Sequence, residues 1–325
     1  MSPAINPTVC YVTDVSYLAP TLISISTLRK SLSICLPVVL VLTLRKNEKI
    51  EGLEEIIDRL SVRLIHIDHA LVDDLTSVWS SSHVSKAALG RLFLHELIPT
   101  DINRILYLDG DTFISNDLSG LAFAPIPGGS IGMAEDALSF YRKDNSINGR
   151  STRAYLSKIG LGPDDAYGNS GVMVSSRTDW KALSLDALAY LKHSAERCPP
   201  YHDQSAINAV IGSRRANIAT KWNFQSRFAQ WDRASISKAS LWHFTGAQKP
   251  WMGSVHPWQS IYGELVDIIQ GLDMHNFPLG SMTADEVKSF NSQFNNSSYF
   301  LRRYFDFRLL RRPKLIAEYD KACVI

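Results

Sequence analysis

The chain has 325 residues, 45% hydrophobic and 20% charged, an ordinary globular composition with enough length to bury a large core. Its formal net charge of +2 gives no reason to expect a nucleic-acid partner. The four cysteines (Cys10, Cys35, Cys198 and Cys323) are scattered without a CxxC pair, which argues for a reducing compartment and against a zinc knuckle or disulfide framework.

Met1 to Thr8 is polar and proline-containing, without a basic region leading into an apolar stretch, so no signal peptide is expected. No apolar run is long enough for a membrane-spanning helix, and a cytoplasmic protein is expected. Thr8 to Thr13 (TVCYVT) reads as a buried strand, and Leu18, Leu22, Ile25, Leu28 and Leu32 then recur at helical spacing. Leu36 to Thr43 is a second strand, Glu48 to Leu60 a second helix, and Val62 to Ile67 a third strand. Lys86 to Leu97 is a helix leading into the fourth strand, Arg104 to Leu108. Such alternation implies crossover units and a mostly parallel sheet covered by helices on both faces.

Ser130 to Ala134 and Ser170 to Ser175 are later strands. The polar stretch between them, Arg142 to Gly168, is expected to be a helix flanked by mobile loops over the site. Trp180 to Glu196 and Asp203 to Ile211 read as helices, and after about Pro257 the alternation ends. The spacing suggests an α/β domain over residues 1–256 and a helical C-terminal extension over 257–325.

Ligands of parallel sheets bind at the carboxyl ends of strands. Asp14 lies there after the first strand, and Asp109-Gly110-Asp111 after the fourth. In an extended segment, residues two apart point the same way, so both carboxylates of RILYLDGDT can face one centre. Hard oxygen ligands suit magnesium or manganese. Two acids framed by apolar residues also need a cation to offset desolvation, which a surface turn would not. Gly110 leaves room where a diphosphate would come close. Leu241 to Trp251 (LWHFTGAQKPW) offers His243 as a third metal ligand, with Gly246 and Lys249 to meet the diphosphate through an amide and an ammonium.

Five blocks in order carry a resemblance to the family-eight retaining glycosyltransferases, which include bacterial lipopolysaccharide galactosyl- and glucosyltransferases and glycogenin. They are VTDVSYLAP, AALGRLFL, ILYLDGDT, YGNSGVMV with YHDQSAIN, and HFTGAQKPW, running from about Thr8 to Trp251. The resemblance implies a GT-A-type nucleotide-sugar-binding α/β fold. It further implies a hexosyltransferase moving galactose or glucose from a UDP-sugar, with Mn2+ (or Mg2+) held by Asp109, Asp111 and His243. Asp14 and Tyr17 would meet the uracil, unless Tyr17 is a core residue. Arg91 would lie near the diphosphate and sugar. Asn169, Asp203 and Gln204 would surround the donor sugar, and Asp136 or Glu135 would contact its hydroxyls. After its first strand the family often carries two acids, or an acid and an asparagine, where Val15 and Ser16 stand here, which loosens the inference on base selectivity.

Retention leaves two routes open, a front-face substitution assisted by the leaving phosphate or a covalent intermediate. The neutral amide of Gln204 is a poor nucleophile, and Asp203 is chemically better if it reaches the anomeric carbon. The rival enzyme class, a sugar nucleotidyltransferase, usually opens with a glycine-rich loop that VTDVSYLAP lacks. A non-catalytic nucleotide-sugar-binding module would not need the full metal and phosphate set. The tail from Tyr299 mixes aromatics with arginines, which fits either a peripheral contact with the inner face of a membrane through residues 299–325 or a helix packed on the domain. A lipid-linked saccharide acceptor would suit the first reading, and a soluble saccharide is the other acceptor class implied.

Overall fold

The computed structural model describes residues 5–45, 48–68, 89–142, 144–193, 202–275, 277–303 and 307–325. Strands β1 (Pro7–Asp14), β2 (Val38–Leu44) and β3 (Val62–Asp68) pair in parallel, and β4 (Arg104–Leu108) joins the other side of β1, also in parallel. A short strand β5 (Thr112–Ile114) leaves this sheet. Strands β6 (Ile131–Glu135), β7 (Gly168–Ser176) and β8 (Arg215–Asn217) complete the order β3-β2-β1-β4-β7-β6-β8. Within it β7 runs against both neighbours, and the other pairs are parallel. The mostly parallel α/β sheet expected from the alternation is therefore present.

The strands read as unbroken apolar runs because both faces are covered. Val9, Tyr11, Val38 and Leu40 pack against α1 (Leu18–Ser31) and α2 (Leu53–Arg59). The alternate residues Cys10, Val12, Val39 and Val41 pack on the other face. There they meet Trp180, Leu183, Ala187 and Leu191 of α4 (Arg177–His193) and Ala206 and Ile207 of α5 (His202–Ile211). Helix α3 (Ile147–Lys158) builds a separate small cluster from Tyr155, Leu156, Ile159 and Tyr167.

Several boundaries differ from the expected ones. The second strand begins at Val38, since Pro37 has no N–H to give the ladder. The second helix begins at Leu53 and not Glu48, because Gly52 adopts φ 78, a left-handed conformation that interrupts a helix. The Lys86–Leu97 helix is a 3-10 turn (Gly90–Phe93) followed by one α-turn (Leu94–Leu97), with 86–88 outside the described residues. There the chain runs tight against β1, where a Cβ on Gly90 would lie 2.8 Å from Val12 Cγ1. The Arg142–Gly168 stretch holds α3, which Arg153 ties to the carbonyls of Arg142 and Asp144. Residues 194–196 of the expected Trp180–Glu196 helix also lie outside the description, as does Cys198; Cys10, Cys35 and Cys323 are free thiols.

A second sheet decides where the site forms. β10 (Leu241–His243) pairs antiparallel with β5 and parallel with β9 (Phe224–Gln225). This register sets His243 opposite Thr112, one residue from Asp111. After Pro257 come α6 (Tyr262–Gly271), α7 (Ala284–Arg303) and α8 (Phe307–Lys321). Trp258, Ile261, Leu265 and Ile268 are buried in the same cluster as β1. The side chains of residues 297–311, most of the arginine-aromatic tail, lie outside the described ones. Beyond them Arg312 is buried and Lys314 exposed, so Arg312 does not belong to a solvated basic face. Among the described residues no helix is long and apolar enough to cross a membrane.

Candidate active site

β4 ends at Leu108, and the turn that follows is fixed on both sides. The Asp109 amide donates to Gly171 O at 2.8 Å, and the Phe244 amide to Asp111 O at 2.9 Å. The Asp109 and Asp111 carboxylates thus meet the His243 imidazole, each offering one donor atom within 4.8 Å of the others. His243 Nε2 lies 3.2 Å from Asp111 Oδ1 and 3.7 Å from Asp109 Oδ2. The other oxygen of each carboxylate is already held. Asp109 Oδ1 accepts from Tyr107 Oη at 2.6 Å and pairs with Arg91 Nη2 at 3.1 Å, while Asp111 Oδ2 pairs with Lys249 Nζ at 2.6 Å.

Does this set fit a divalent ion? Two hard oxygens and one imidazole nitrogen suit manganese or magnesium. His243 Nδ1 lies 2.9 Å from Asn223 Oδ1, an acceptor for a proton on that nitrogen, and Nε2 faces the carboxylates, where it could ligate an ion. A Cβ on Gly171 would overlap His243 Cε1 and sit 2.7 Å from Asp109 Oδ2, so the three ligands can converge only because residue 171 is glycine. Burial pushes the Asp111 carboxyl up, but Lys249 and His243 outweigh it and hold it below the ordinary range. Asp111 is thereby kept ionised, as metal binding requires. The residues fit.

Arg91 is buried between two acids, with Nε 2.8 Å from Asp203 Oδ2 and its guanidinium 4.7 Å above the Tyr107 ring. Burial raises the Asp203 carboxyl, and Arg91 opposes that rise. The sequence-level expectation that two framed acids need a cation is met partly by the protein itself, through Arg91 and Lys249.

The triad forms the floor of a cavity of about 550 Å³ that Asp136, Asn169 and Gln204 also line. These side chains are one directional network. Asn169 Nδ2 and Gln204 Nε2 donate to Asp136 Oδ2 at 2.9 and 3.2 Å. Asn169 Oδ1 accepts from Asn223 Nδ2 at 2.8 Å, and Asn223 Oδ1 faces His243. Gln204 Oε1 accepts from the Ser170 amide at 3.0 Å, and its Nε2 also donates to Tyr167 Oη at 3.0 Å. Burial raises the Asp136 carboxyl, and the bonds from Asn169, the Leu138 amide and Gln204 pull it back.

The remaining expected residues fall in different places. Asp14 caps the turn after β1, accepting from Ser16 Oγ and from the Tyr17 amide at 3.1 Å. Tyr17 is half-buried, with its ring edge-on to Trp251 at 6.3 Å. Burial and the nearby Asp111 raise its phenol. At Gly110 a Cβ would run into Thr21 of α1. Gly246 lines the cavity at φ +101, a left-handed turn position that favours glycine. Asp203 and Arg91 are not lining residues of this cavity but sit behind Asp109. Glu135 turns away, paired with Arg215 and Arg142, whereas Asp136 faces in. Among the described residues of 142–168 none lines the cavity.

Sequence reasoning missed Asn223, Gly171, Tyr107, Tyr167 and Gln225. Gln225 spans the end of β6, accepting from the Ala137 amide at 2.9 Å and donating to Glu135 O at 3.0 Å. The only signal for Asn223 and Gln225 was polar residues set in the aromatic run KWNFQ.

Residues 8–254 match the family description "Glycosyl transferase family 8". Over 211 residues the chain is 26% identical to lipopolysaccharide 1,2-glucosyltransferase of Escherichia coli (strain K12), covering 62% of this chain and 56% of that protein. Over 200 residues it is 26% identical to General stress protein A of Bacillus subtilis (strain 168), covering 56% of this chain and 65% of that protein. The matched stretch is thus less than two thirds of either relative's length. The solved galactosyltransferase LgtC, in complex with donor and acceptor sugar analogues, shares the fold at TM-score 0.61 and 16% identity, covering 86% of this chain and 98% of that one. An active-site mutant of LgtC gives TM-score 0.63 at 16% identity, covering 80% and 95%. With the family match spanning most of the chain and the strand ends of a GT-A fold gathering Asp109, Asp111 and His243, the chain belongs to glycosyl transferase family 8.

Proposed function

We propose that the protein is a retaining hexosyltransferase that moves glucose or galactose from a UDP-sugar to a saccharide acceptor, free or lipid-linked, in a Mn2+-dependent reaction at the cytoplasmic face of a membrane. The observation that carries this reading is the convergence of Asp109, Asp111 and His243 on the floor of a cavity that Asp136, Asn169 and Gln204 line. The E. coli relative, named a glucosyltransferase, supports the hexosyl class.

When bound, the ion would act as a Lewis acid that offsets charge on the leaving diphosphate. Lys249, held 2.6 Å from Asp111, sets a fixed ammonium at the same edge. Asp136 and Asn169 offer an acceptor and an amide to sugar hydroxyls. Gln204 is fixed by Ser170, Tyr167 and Asp136, so its amide is a rigid wall group. Asp203 is engaged by Arg91, which favours the front-face route over a covalent intermediate on that carboxylate. A glycosyl adduct trapped on Asp203 would overturn that choice.

The acceptor would enter over Arg227, Gln230, His256, Phe290 and Phe294, which line the same cavity. Residues 257–325 thereby act as an extension that shapes the acceptor side. Arginines 302, 303, 308 and 311 would serve a peripheral membrane contact; replacing all four by glutamine should release full-length protein from anionic liposomes, and undiminished retention would defeat the idea.

The central test is UDP release from a panel of UDP-sugars with manganese, with chelator, and with Asp111→Ala. Release for one or two hexoses that needs metal and is lost in the variant supports the reading. A folded protein that neither binds nor cleaves any UDP-sugar with metal present refutes it.

A further inference from the structure

Strands β6 and β8 pair over Ile131 to Met133, and Ile218 N then donates to Met133 O at 3.2 Å. Beyond this point a side chain from the far end of the chain takes over. The Tyr319 hydroxyl accepts from the Glu135 amide at 2.9 Å and donates to Ile218 O at 2.9 Å. It splices one rung into a ladder whose strands have parted. The next residue on β6's side is Asp136, which lines the cavity.

Arg312, two turns back on the same face of α8, grips the same wall. Its guanidinium lies 4.3 Å from the Tyr141 ring and 5.0 Å from Trp231, and it pairs with Asp144 Oδ2 at 2.7 Å. Tyr141 also lines the cavity. Asp320 and the chain end fasten the opposite side. Asp320 accepts from Thr220 N at 2.7 Å and Thr220 Oγ1 at 2.9 Å, and Val324 N donates to Asn217 O at 2.9 Å. The segment so held runs directly into Asn223, the partner of His243. All these groups of α8 and the chain end lie outside residues 8–254, the stretch the family description covers.

We propose that α8 is a positioning element of the active site, in which Tyr319 sets Asp136 and Arg312 sets Tyr141, so that the sugar end of the cavity takes its shape from the last helix. The inference rests on Asp136 acting at the donor sugar, as proposed above. Removing the Tyr319 hydroxyl leaves a buried N–H and a carbonyl unpaired beside Asp136. The ring itself, edge-on to Phe140 at 6.2 Å, can stay in place as phenylalanine. Small displacements of a group at a reacting centre are costly in rate, so the effect should fall on turnover.

The test uses full-length protein and compares wild type with Tyr319→Phe and Arg312→Lys. The second variant keeps a charge near Asp144 but loses the planar stack on two rings. Three quantities are read: kcat and KM for whichever nucleotide sugar the wild type turns over, affinity for UDP with Mn2+, and amide hydrogen exchange over Ile131–Tyr141. The expected result for Tyr319→Phe is a kcat lower by about tenfold, unchanged UDP affinity, and faster exchange in that segment. A kcat equal to wild type overturns the proposal. So does a parallel loss of kcat and UDP affinity, which would mark Tyr319 as merely structural. If Tyr319→Phe does not fold, Arg312→Lys is judged by the same criteria. A wild type that turns over no UDP-sugar removes the donor reading while leaving this one to the exchange measurement, where unaltered protection of Ile131–Tyr141 overturns it.

Discussion

Asn223 Oδ1 lies 2.9 Å from His243 Nδ1, and this one contact decides which imidazole nitrogen faces the two aspartates. Asn223 cannot present its amide nitrogen instead, because that group donates to Asn169 Oδ1. The orientation is passed on from Asp136 through Asn169 to Asn223 and His243. Asp136 and His243 therefore share one chain of hydrogen bonds.

Asn223→Ala should weaken manganese binding by about 10- to 100-fold, the usual cost of losing a partner that orients a metal ligand. Calorimetric titration of manganese into the UDP-loaded protein measures this. Activity should return at saturating manganese, since the three ligands remain. Unchanged affinity would show that His243 is oriented by other contacts.

Gly171→Ala should remove metal-dependent activity with a smaller effect on folding. The added methyl would overlap His243 Cε1 and press on Asp109 Oδ2, so the ligands must spread. Overpacking a buried site costs about 1–3 kcal/mol. Excess manganese should not rescue this variant, in contrast to Asn223→Ala. Thermal melting with and without manganese and UDP separates the two effects, because only a protein that binds them gains stability.

Much of this site is legible in the sequence where a residue's chemistry announces itself at a strand end. Asp109, Asp111, His243 and Lys249 are such residues, and the fold brings all four together. Asn223, Gly171, Tyr167 and Tyr319 are not legible, since each acts by holding another group and no spacing rule marks it. Gly110 shows a subtler difference. Its need for a glycine is visible, but the neighbour that imposes it, Thr21, comes from a helix far earlier in the chain. The second helix was read too long because Glu48 to Ile50 continue its polar and apolar pattern, while the backbone at Gly52 interrupts it. Arg312 reads as one more basic residue in a charged tail, yet burial against Tyr141 and Trp231 is decided entirely by tertiary packing.

Docking of α8 should weaken in acid. Burial pushes the Asp144 carboxyl up, but hydrogen bonds from Ser146 and Arg312 outweigh it and hold it below the ordinary carboxylate value. A depressed folded-state pKa contributes stability that is fully present above the unfolded value, about 3.9 for aspartate, and is lost as pH falls through the folded one. Wild type should thus be more stable than Asp144→Asn at pH 7, with the gap closing below about pH 4. Urea melts of both proteins across that range test the sign. A gap that widens in acid would contradict the assigned partners.

Gln204→Glu keeps an oxygen for the Ser170 amide but replaces the Nε2 donor with a second carboxylate oxygen, 3.2 Å from Asp136 Oδ2. Two carboxylates at that distance cannot both ionise without strong repulsion, so either the pair shares a proton or Asp136 moves. Both outcomes disturb Asp136 directly and reach His243 only through Asn169 and Asn223. Turnover should fall by about 10²-fold, the order expected when a group at a reacting centre is misplaced. Affinity for UDP with manganese should stay near wild type. Lowering the pH should partly restore the rate, because a shared proton recreates the donor that the amide supplied. A rate loss that is the same at every pH would mean that Gln204 contributes through its amide nitrogen to the substrate itself, and not through Asp136.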